Sequence, residues 1–504
     1  MAYLLGTPTT VVMNTAATGD LGADGFTWAQ GSPLVVDEFG KLIAWAQAVN
    51  GGNKRFIPVV SNDLGVTWSE PTHTGFGPDD NNGEYLGTRC AQAYDATNHL
   101  LHVIWVSETV NFGAIYRQYS FTRSSNNITG ITRVRGFQIE IGVAGMLFEA
   151  PVALWCADVG KLLIGWSARS ATKSEYRLTC RTISNTATDV DTTAWVAPFN
   201  TTSTDTMGSA FQAGGLLYNT LAKSATAKDI FLALFRKPAG AATHALDLVW
   251  VSTQGTAGVS GTLFFNRATW DGTGGHNDWR GAIGKAIAND DGLTSLGALN
   301  RGVTDAGYNL KSQVISKIAY DTVTDKLWVG ISTWRGVDGV APTVLNGDTW
   351  SLQSVSGADA AGGWIDAYAT GAANTDVARD MFITGDVMYD VASGLVATSY
   401  TDLPRHDVYV ATYDNGVASQ AGVAVYTATP CDIPTIYDAR VNSKLGLLFR
   451  DFPATFRNNP PTTALPYTGY YVSVPLAAQT AAAAATPTPS FLATAPGGLG
   501  TWRR

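Results

Sequence analysis

The chain has 504 residues, of which 45% are apolar and only 15% charged, and its formal net charge is −8. No Lys/Arg-rich segment stands out, which argues against nucleic-acid binding, and no run of about 18 apolar residues exists that could cross a membrane as a helix. With 53 Gly, 15 Trp, 19 Tyr and 19 Phe, Gly-rich turns alternate with aromatic and β-branched runs, which is an all-β composition.

The first residues, Met1-Ala2-Tyr3-Leu4-Leu5-Gly6, lack a basic stretch and a sustained apolar core, so no secretory signal is expected. Thr9-Thr10-Val11-Val12-Met13 reads as a strand inside an N-terminal segment covering 1–30. From Val35 onward a unit recurs: an apolar strand ending in an aromatic or apolar residue plus Asp, a short turn, then a strand that opens on Leu or a close substitute. The instances are Val35-Val36-Asp37 before Leu42, Tyr94-Asp95 before Leu100, Cys156-Ala157-Asp158 before Leu162, and Tyr218-Asn219 before Ile230. Tyr320-Asp321 before Leu327, Tyr389-Asp390 before Leu395 and Tyr437-Asp438 before Leu445 complete seven units. Their Asp or Asn positions lie 58, 63, 61, 102, 69 and 48 residues apart. A four-stranded blade takes about 40–50 residues, so the long fourth interval predicts one blade with an insertion at about 238–280.

Between the first two units stands Ser61-Asn62-Asp63-Leu64-Gly65-Val66-Thr67-Trp68, directly after the apolar run Phe56-Ile57-Pro58-Val59-Val60. Asp63 is suited to accept backbone amides of a turn. Gly65 supplies a positive φ that other residues resist, and Trp68 opens the outgoing strand. A second, degraded copy at 288–295 keeps Asp290, Gly292 and Thr294 but lacks the first Ser and the Trp. This Ser-x-Asp-x-Gly-x-Thr-Trp spacing resembles the Asp box of sialidases and of sialidase-like β-propellers. The resemblance implies a single propeller of four-stranded blades over 31–475. It puts the Asp box at the turn from third to fourth strand, on the face away from the ligand. Seven blades fit the units. A six-bladed ring, as in true sialidases, requires one unit to be spurious, and eight require a blade hidden in the insertion. The last unit is one strand short, and 9–13 would supply it and close the ring.

Several second strands end in arginine: Arg169, Arg236, Arg335 and Arg450, with Trp334 beside one of them. On the propeller alignment these ring the ligand face, where a planar guanidinium grips a carboxylate or sulfate through two parallel hydrogen bonds. The alternative is that they pair with neighbouring acids such as Asp451, Asp402 and Glu108. The resemblance also implies what an active sialidase needs: an arginine clamp, an acid/base Asp and a Tyr–Glu nucleophile pair. Lys54-Arg55-Phe56-Ile57-Pro58 echoes the first sialidase motif, but it leads straight into the Asp box, so Arg55 belongs to a third strand and takes no clamp role. Glu149 and Asp432 fall near the starts of inner strands and read as satisfied polar groups, so no catalytic residue is assigned.

Four widely spaced cysteines (Cys90, Cys156, Cys180, Cys431) form no CxxC and read as buried thiols, with a Cys156–Cys180 bridge as the alternative. The acidic run 79–84 misses the EF-hand pattern, and His99 and His102 share one strand in outward or core roles, so neither metal nor cofactor is expected. After Leu476 the chain becomes an Ala/Thr/Pro-rich arm, 476–504, with Phe491, Leu492 and Trp502 as anchors for a neighbouring subunit. The composition reads as a non-catalytic binding and structural protein of a virion, such as a phage tail, fibre or decoration component, that contacts host-surface glycan through the arginine face. A sialidase-like glycosidase acting on acidic sugars and a cytoplasmic scaffold for protein partners are the alternatives.

Overall fold

The computed structural model describes residues 3–13, 28–29, 34–50, 53–74, 89–106, 113–140, 147–169, 174–182, 215–220, 228–236, 245–253, 262–269, 309–321, 326–336, 348–356, 365–372, 385–401, 407–414, 417–429, 431–436, 444–451 and 468–478. Strands β1 (Tyr3–Leu5), β2 (Thr9–Val12) and β3 (Trp28–Ala29) precede a first sheet of β4 (Val35–Val36), β5 (Leu42–Asn50) and β6 (Asn53–Ser61), and β7 (Thr72–Thr74) follows it. The second sheet is built on β8 (Arg89–Asp95), β9 (Leu100–Val106), β10 (Ala114–Ser124) and β11 (Asn127–Glu140). The third holds β12 (Leu147–Cys156), β13 (Lys161–Arg169), β14 (Ser174–Thr182) and β15 (Gly215–Thr220). The fourth comprises β16 (Lys228–Arg236), β17 (Ala245–Thr253) and β18 (Thr262–Thr269). The fifth is β19 (Asn309–Asp321), β20 (Lys326–Gly336), β21 (Asp348–Ser356) and β22 (Ile365–Ala372). The sixth is β23 (Gly385–Asp390), β24 (Leu395–Thr401), β25 (Val408–Asp414) and β26 (Val417–Tyr426). The seventh joins β27 (Cys431–Ile436), β28 (Lys444–Asp451) and β29 (Gly469–Ala478) to β1 and β2.

The described residues thus form seven sheets and no helix. Strands adjacent in sequence pair antiparallel within each sheet, while β3 and β7 add to the edges of the second sheet in parallel. The first strand of each sheet packs beside the first strand of the next: β4 by β8, then β8 by β12, β12 by β16, β16 by β19, β19 by β23 and β23 by β27. The architecture is that of a β-propeller.

The recurring Asp is a turn device. Asp37 Oδ1 accepts the amides of Phe39 (2.9 Å) and Lys41 (2.6 Å), Asp95 Oδ1 those of Thr97 (2.9 Å) and Asn98 (3.1 Å), and Asp390 those of Ala392 (3.4 Å) and Ser393 (3.1 Å). In each case the carboxylate satisfies amides that a tight reversal leaves without strand partners. A left-handed residue ends these turns: Gly40, Gly160 and Gly394 in the first, third and sixth sheets, but His99, at φ 57°, in the second.

Second strands are apolar on both faces because each lies between two neighbours. Leu101, Val103 and Trp105 pack toward the first sheet with Ile43 and Trp45, while Leu100, Ile104 and Val106 pack toward the third with Leu162, Ile164 and Trp166. Trp45 and Trp105 meet edge to face at 5.2 Å, and Trp45 Nε1 donates to Gln92 Oε1 at 2.9 Å. The seam between seventh and first sheets is equally filled, by Met13, Leu34, Leu42, Ala44, Trp68, Leu448 and Tyr471.

Ring closure follows the expectation from the sequence. β2 pairs antiparallel with β29, from Thr9 opposite Ser473 to Val12 opposite Tyr470. β1 extends the same edge, from Tyr3 opposite Ala478 to Leu5 opposite Leu476.

Two expectations about the fourth unit are corrected. Tyr218 and Asn219 are not a turn: they lie inside β15, paired with Tyr176 and Glu175 of β14. The segment expected as an insertion carries β17 and β18, two strands of the fourth sheet. Cys90, Cys156 and Cys431 are buried thiols, as expected, and Cys156 is not in a disulfide. The degraded Asp box with Asp290 and Gly292, the acidic run 79–84 and the arm from 479 onward lie outside the described residues.

Candidate functional site

The two ends of the sheets differ in what occupies them. One end carries the Asp turns and the turn at residues 61–68, whose resemblance to an Asp box gives this end its label. There Ser61 Oγ donates to Asp63 Oδ1 (2.8 Å) and accepts the Gly65 amide (2.7 Å), while Asp63 takes the Thr67 amide (2.8 Å) and the Thr67 hydroxyl (2.5 Å). Burial works against the Asp63 charge, but the Thr67 and Ser61 bonds outweigh it and hold its carboxyl below the usual range. Gly65 sits at φ 89°, and a Cβ there would lie 2.1 Å from Tyr471 Cε1. Trp68, 3% exposed, packs on the same Tyr471 ring at 5.4 Å. The 61–68 turn follows the third strand of its sheet, β6, and a Val60–Ser69 bridge closes its hairpin.

Residues of this end also tie the first sheet to the second. Asn62 Oδ1 accepts the Ile128 amide (2.8 Å) and Asn62 Nδ2 donates to the Ile128 carbonyl (3.0 Å). Arg123 lies 2.7 Å from Asp37 and stacks over Phe39 and Phe121. Glu38 receives the Tyr94 hydroxyl and pairs with His99 at 2.6 Å. The chain therefore does contain a Tyr–Glu pair, but at the Asp-box end. Burial and the Glu38 carboxylate push the Tyr94 hydroxyl far above its ordinary range, the opposite of what a phenolate nucleophile needs. His102, fully buried, is a seam residue: Nδ1 meets the Tyr116 hydroxyl at 2.8 Å, Nε2 lies 3.9 Å from Asp95, and the ring stacks with Trp155. Among the described residues no group of three His, Cys, Asp or Glu side chains is placed to hold a metal.

The second strands run from the Asp turns to the opposite end, and there they place three of the four arginines. Arg169 is the last residue of β13, in register with Leu147 and Ser174. Arg335, with Trp334 before it, is the penultimate residue of β20, opposite Leu310. Arg450, near the end of β28, is in register with Asp432 of β27 and Gly469 of β29. Glu149 and Asp386 lie near the starts of β12 and β23, in register with Ser167 and Ser399. At this end the strands thus carry arginine positions in the third, fifth and seventh sheets and acidic positions in the third, sixth and seventh. Arg450 is 7% exposed. It follows the alternation that puts Leu448 against the first sheet, so its guanidinium belongs to the closing seam and not to open surface.

Arg236 does not join them. Because β15 completes the third sheet, β16 begins at the end where β15 finishes and is the first strand of its own sheet, flanked by β12 and β19. Its last residue, Arg236, therefore falls at the Asp-box end. Arg55 lies on β6, a third strand, as the sequence implied. Missed by sequence reasoning were Asn62, Glu38 and Arg123, whose partners are 66, 61 and 86 residues away.

No protein-family model and no curated protein matches the chain. Solved structures similar to it include the polysaccharide lyase Uly1, at 11% identity and TM-score 0.49 over 88% of this chain and 89% of that one. An ulvan lyase of a new polysaccharide lyase family, bound to -[GlcA(1-4)Rha3S]-, is 9% identical with TM-score 0.47 over 92% and 98%. The phage phi92 endosialidase is 9% identical with TM-score 0.37 over 94% and 70%. The chain is similar in its course to these proteins, and none of its residues takes a role from them.

Proposed function

We propose that this chain is a non-catalytic propeller that binds an anionic glycan at the end opposite its Asp box, as a structural component of a virion. The observation that carries the binding reading is the division of labour between the two ends. The Asp-box end spends its polar side chains on turns and on ties between sheets, whereas the second strands deliver Arg169 and Arg335, with Trp334, to the other end from two different sheets. Guanidinium groups suit carboxylate or sulfate oxygens, and an indole suits the apolar face of a sugar. The low charge content and the Ala/Thr/Pro-rich arm favour a particle-borne placement.

The test is an array of sialylated, uronate and sulfated glycans probed with the full chain, followed by turnover assays on whatever binds. We expect retention of anionic glycans that weakens about tenfold or more when Arg169→Ala and Arg335→Ala are combined, in line with losing two charge-assisted contacts, and no cleavage. Products from a bound glycan would replace this reading with the glycosidase one. Mass spectrometry of purified particles tests the virion placement separately.

A further inference from the structure

We propose that the Asp-box end of the first sheet is the docking surface for the chain's own C-terminal arm, residues 479–504. Five large apolar side chains are exposed among the described residues: Val12, Phe39, Leu64, Val66 and Val391. Three of them, Phe39 (41%), Leu64 (36%) and Val66 (64%), belong to the two turns of the first sheet. Leu64 reaches over the neighbouring turn, its Cδ2 3.5 Å from where a Cβ on Gly40 would stand. Arg123 lies over the Phe39 ring, 4.9 Å from its centroid. Lys41 donates to the Asn62 carbonyl at 2.8 Å, and Glu38 pairs with His99, so charged groups border the patch. An apolar cluster with a polar rim is the anatomy of a binding surface.

The occupant is identified by where the described chain ends and by the composition of the residues after that point. Pro475 pairs with Lys444, the first residue of β28, and β29 continues to Ala478. Second strands begin at the Asp-box end, so the chain leaves the propeller there, seven residues beyond the Tyr471 that covers Gly65. Phe491 lies thirteen positions beyond Ala478. That length spans about 43–47 Å extended and about 20 Å as a flexible coil, enough to return to turns that β29 itself touches. The arm is built of Ala, Thr, Pro and Gly around Phe491, Leu492, Leu499 and Trp502. It carries Arg503 and Arg504 and no acid, on a chain whose net charge is −8. A tether this short gives an effective concentration of millimolar order, which favours the chain's own arm over another copy's.

The experiment places p-benzoylphenylalanine at Val66 in the full chain and irradiates an equal mixture of light and heavy-nitrogen-labelled protein. We expect crosslinks to peptides of 479–504 with both halves carrying the same label. Phe491→Ser with Trp502→Ser should remove most of that crosslink while leaving the thermal midpoint of the propeller unchanged. Mixed-label crosslinks, crosslinks that avoid the arm, or crosslinks indifferent to the double substitution would each overturn the assignment. None of these results bears on glycan retention by Arg169 and Arg335, so the two proposals stand or fall separately.

Discussion

Gly65→Ala is the sharpest probe of the Asp box. The substitution meets two independent penalties. Holding a residue with a Cβ in the left-handed region, where Gly65 sits at φ 89°, costs about 1–2 kcal/mol. The new Cβ would also stand 2.1 Å from Tyr471 Cε1 and 2.6 Å from Cζ, contacts that force a ring to move within a filled seam. Overpacking of that kind costs about 1–3 kcal/mol, so the expected total is roughly 2–5 kcal/mol. Chemical denaturation followed by tryptophan fluorescence measures it, with Trp68 packed against the same ring. The steric part can be isolated. In a Tyr471→Val background no ring opposes the Cβ, and Gly65→Ala should then cost only the backbone share, about 1–2 kcal/mol. A cost below about 1 kcal/mol in the native background, or the same cost in both backgrounds, would refute the claim that Gly65 is required by its φ and by the approach of Tyr471.

Asn62→Ala should leave the Ile128 amide without its partner between the first two sheets, destabilising the chain by about 1–3 kcal/mol; faster amide exchange at Ile128 checks it. Glu38 supplies a pH signature. Burial opposes its charge, but bonds from Tyr94 and His99 outweigh it, so its folded pKa lies below the ordinary 4.5. A lowered carboxyl pKa contributes stability that is complete above the ordinary value and lost as the pH falls through the folded one. Melting curves of Glu38→Gln and the parent chain should therefore converge as the pH drops below about 4.5. Deleting residues 1–13 strips β29 of both its edge partners and empties the Met13 position of the seam. The expected result is a lower melting midpoint and loss of exchange protection along 470–478, with a protected β29 as the contrary outcome.

The parts of this fold that could be read from the residues are those whose physics is local. Asp37, Asp95 and Asp390 each bond amides within four positions, and so does Asp63 in its box, so their spacing in the chain reflects their geometry. The closing strand was legible for a different reason: an unpaired edge on the last sheet had to be covered, and 9–13 was the β-branched run left to cover it. The reading slipped at Tyr218-Asn219 because an aromatic followed by a small amide occurs within β15 as readily as at a turn, and neither strand's apolar run marks which sheet it joins. That slip moved Arg236 to the wrong end. The ties made by Asn62, Glu38, Gln92 and Arg123 were invisible because each depends on two sheets meeting, which no short window records.

The pairing of residues 3–12 with residues 470–478 has a consequence for biosynthesis. β1 and β2 leave the ribosome before the other described strands, yet their partner β29 emerges only after roughly 460 further residues, a delay of about 23–92 s at ordinary rates of about 5–20 residues per second. Until then the seventh sheet is incomplete, and Leu42, Ala44 and Trp68 lack the Tyr471 side of their seam. The nascent protein must therefore carry an adhesive edge and an open apolar flank while the intervening sheets are made, and closure joins strands more than 450 residues apart. High contact order of this kind makes folding slow, and it makes the period before β29 emerges the time when chaperones matter most to this chain.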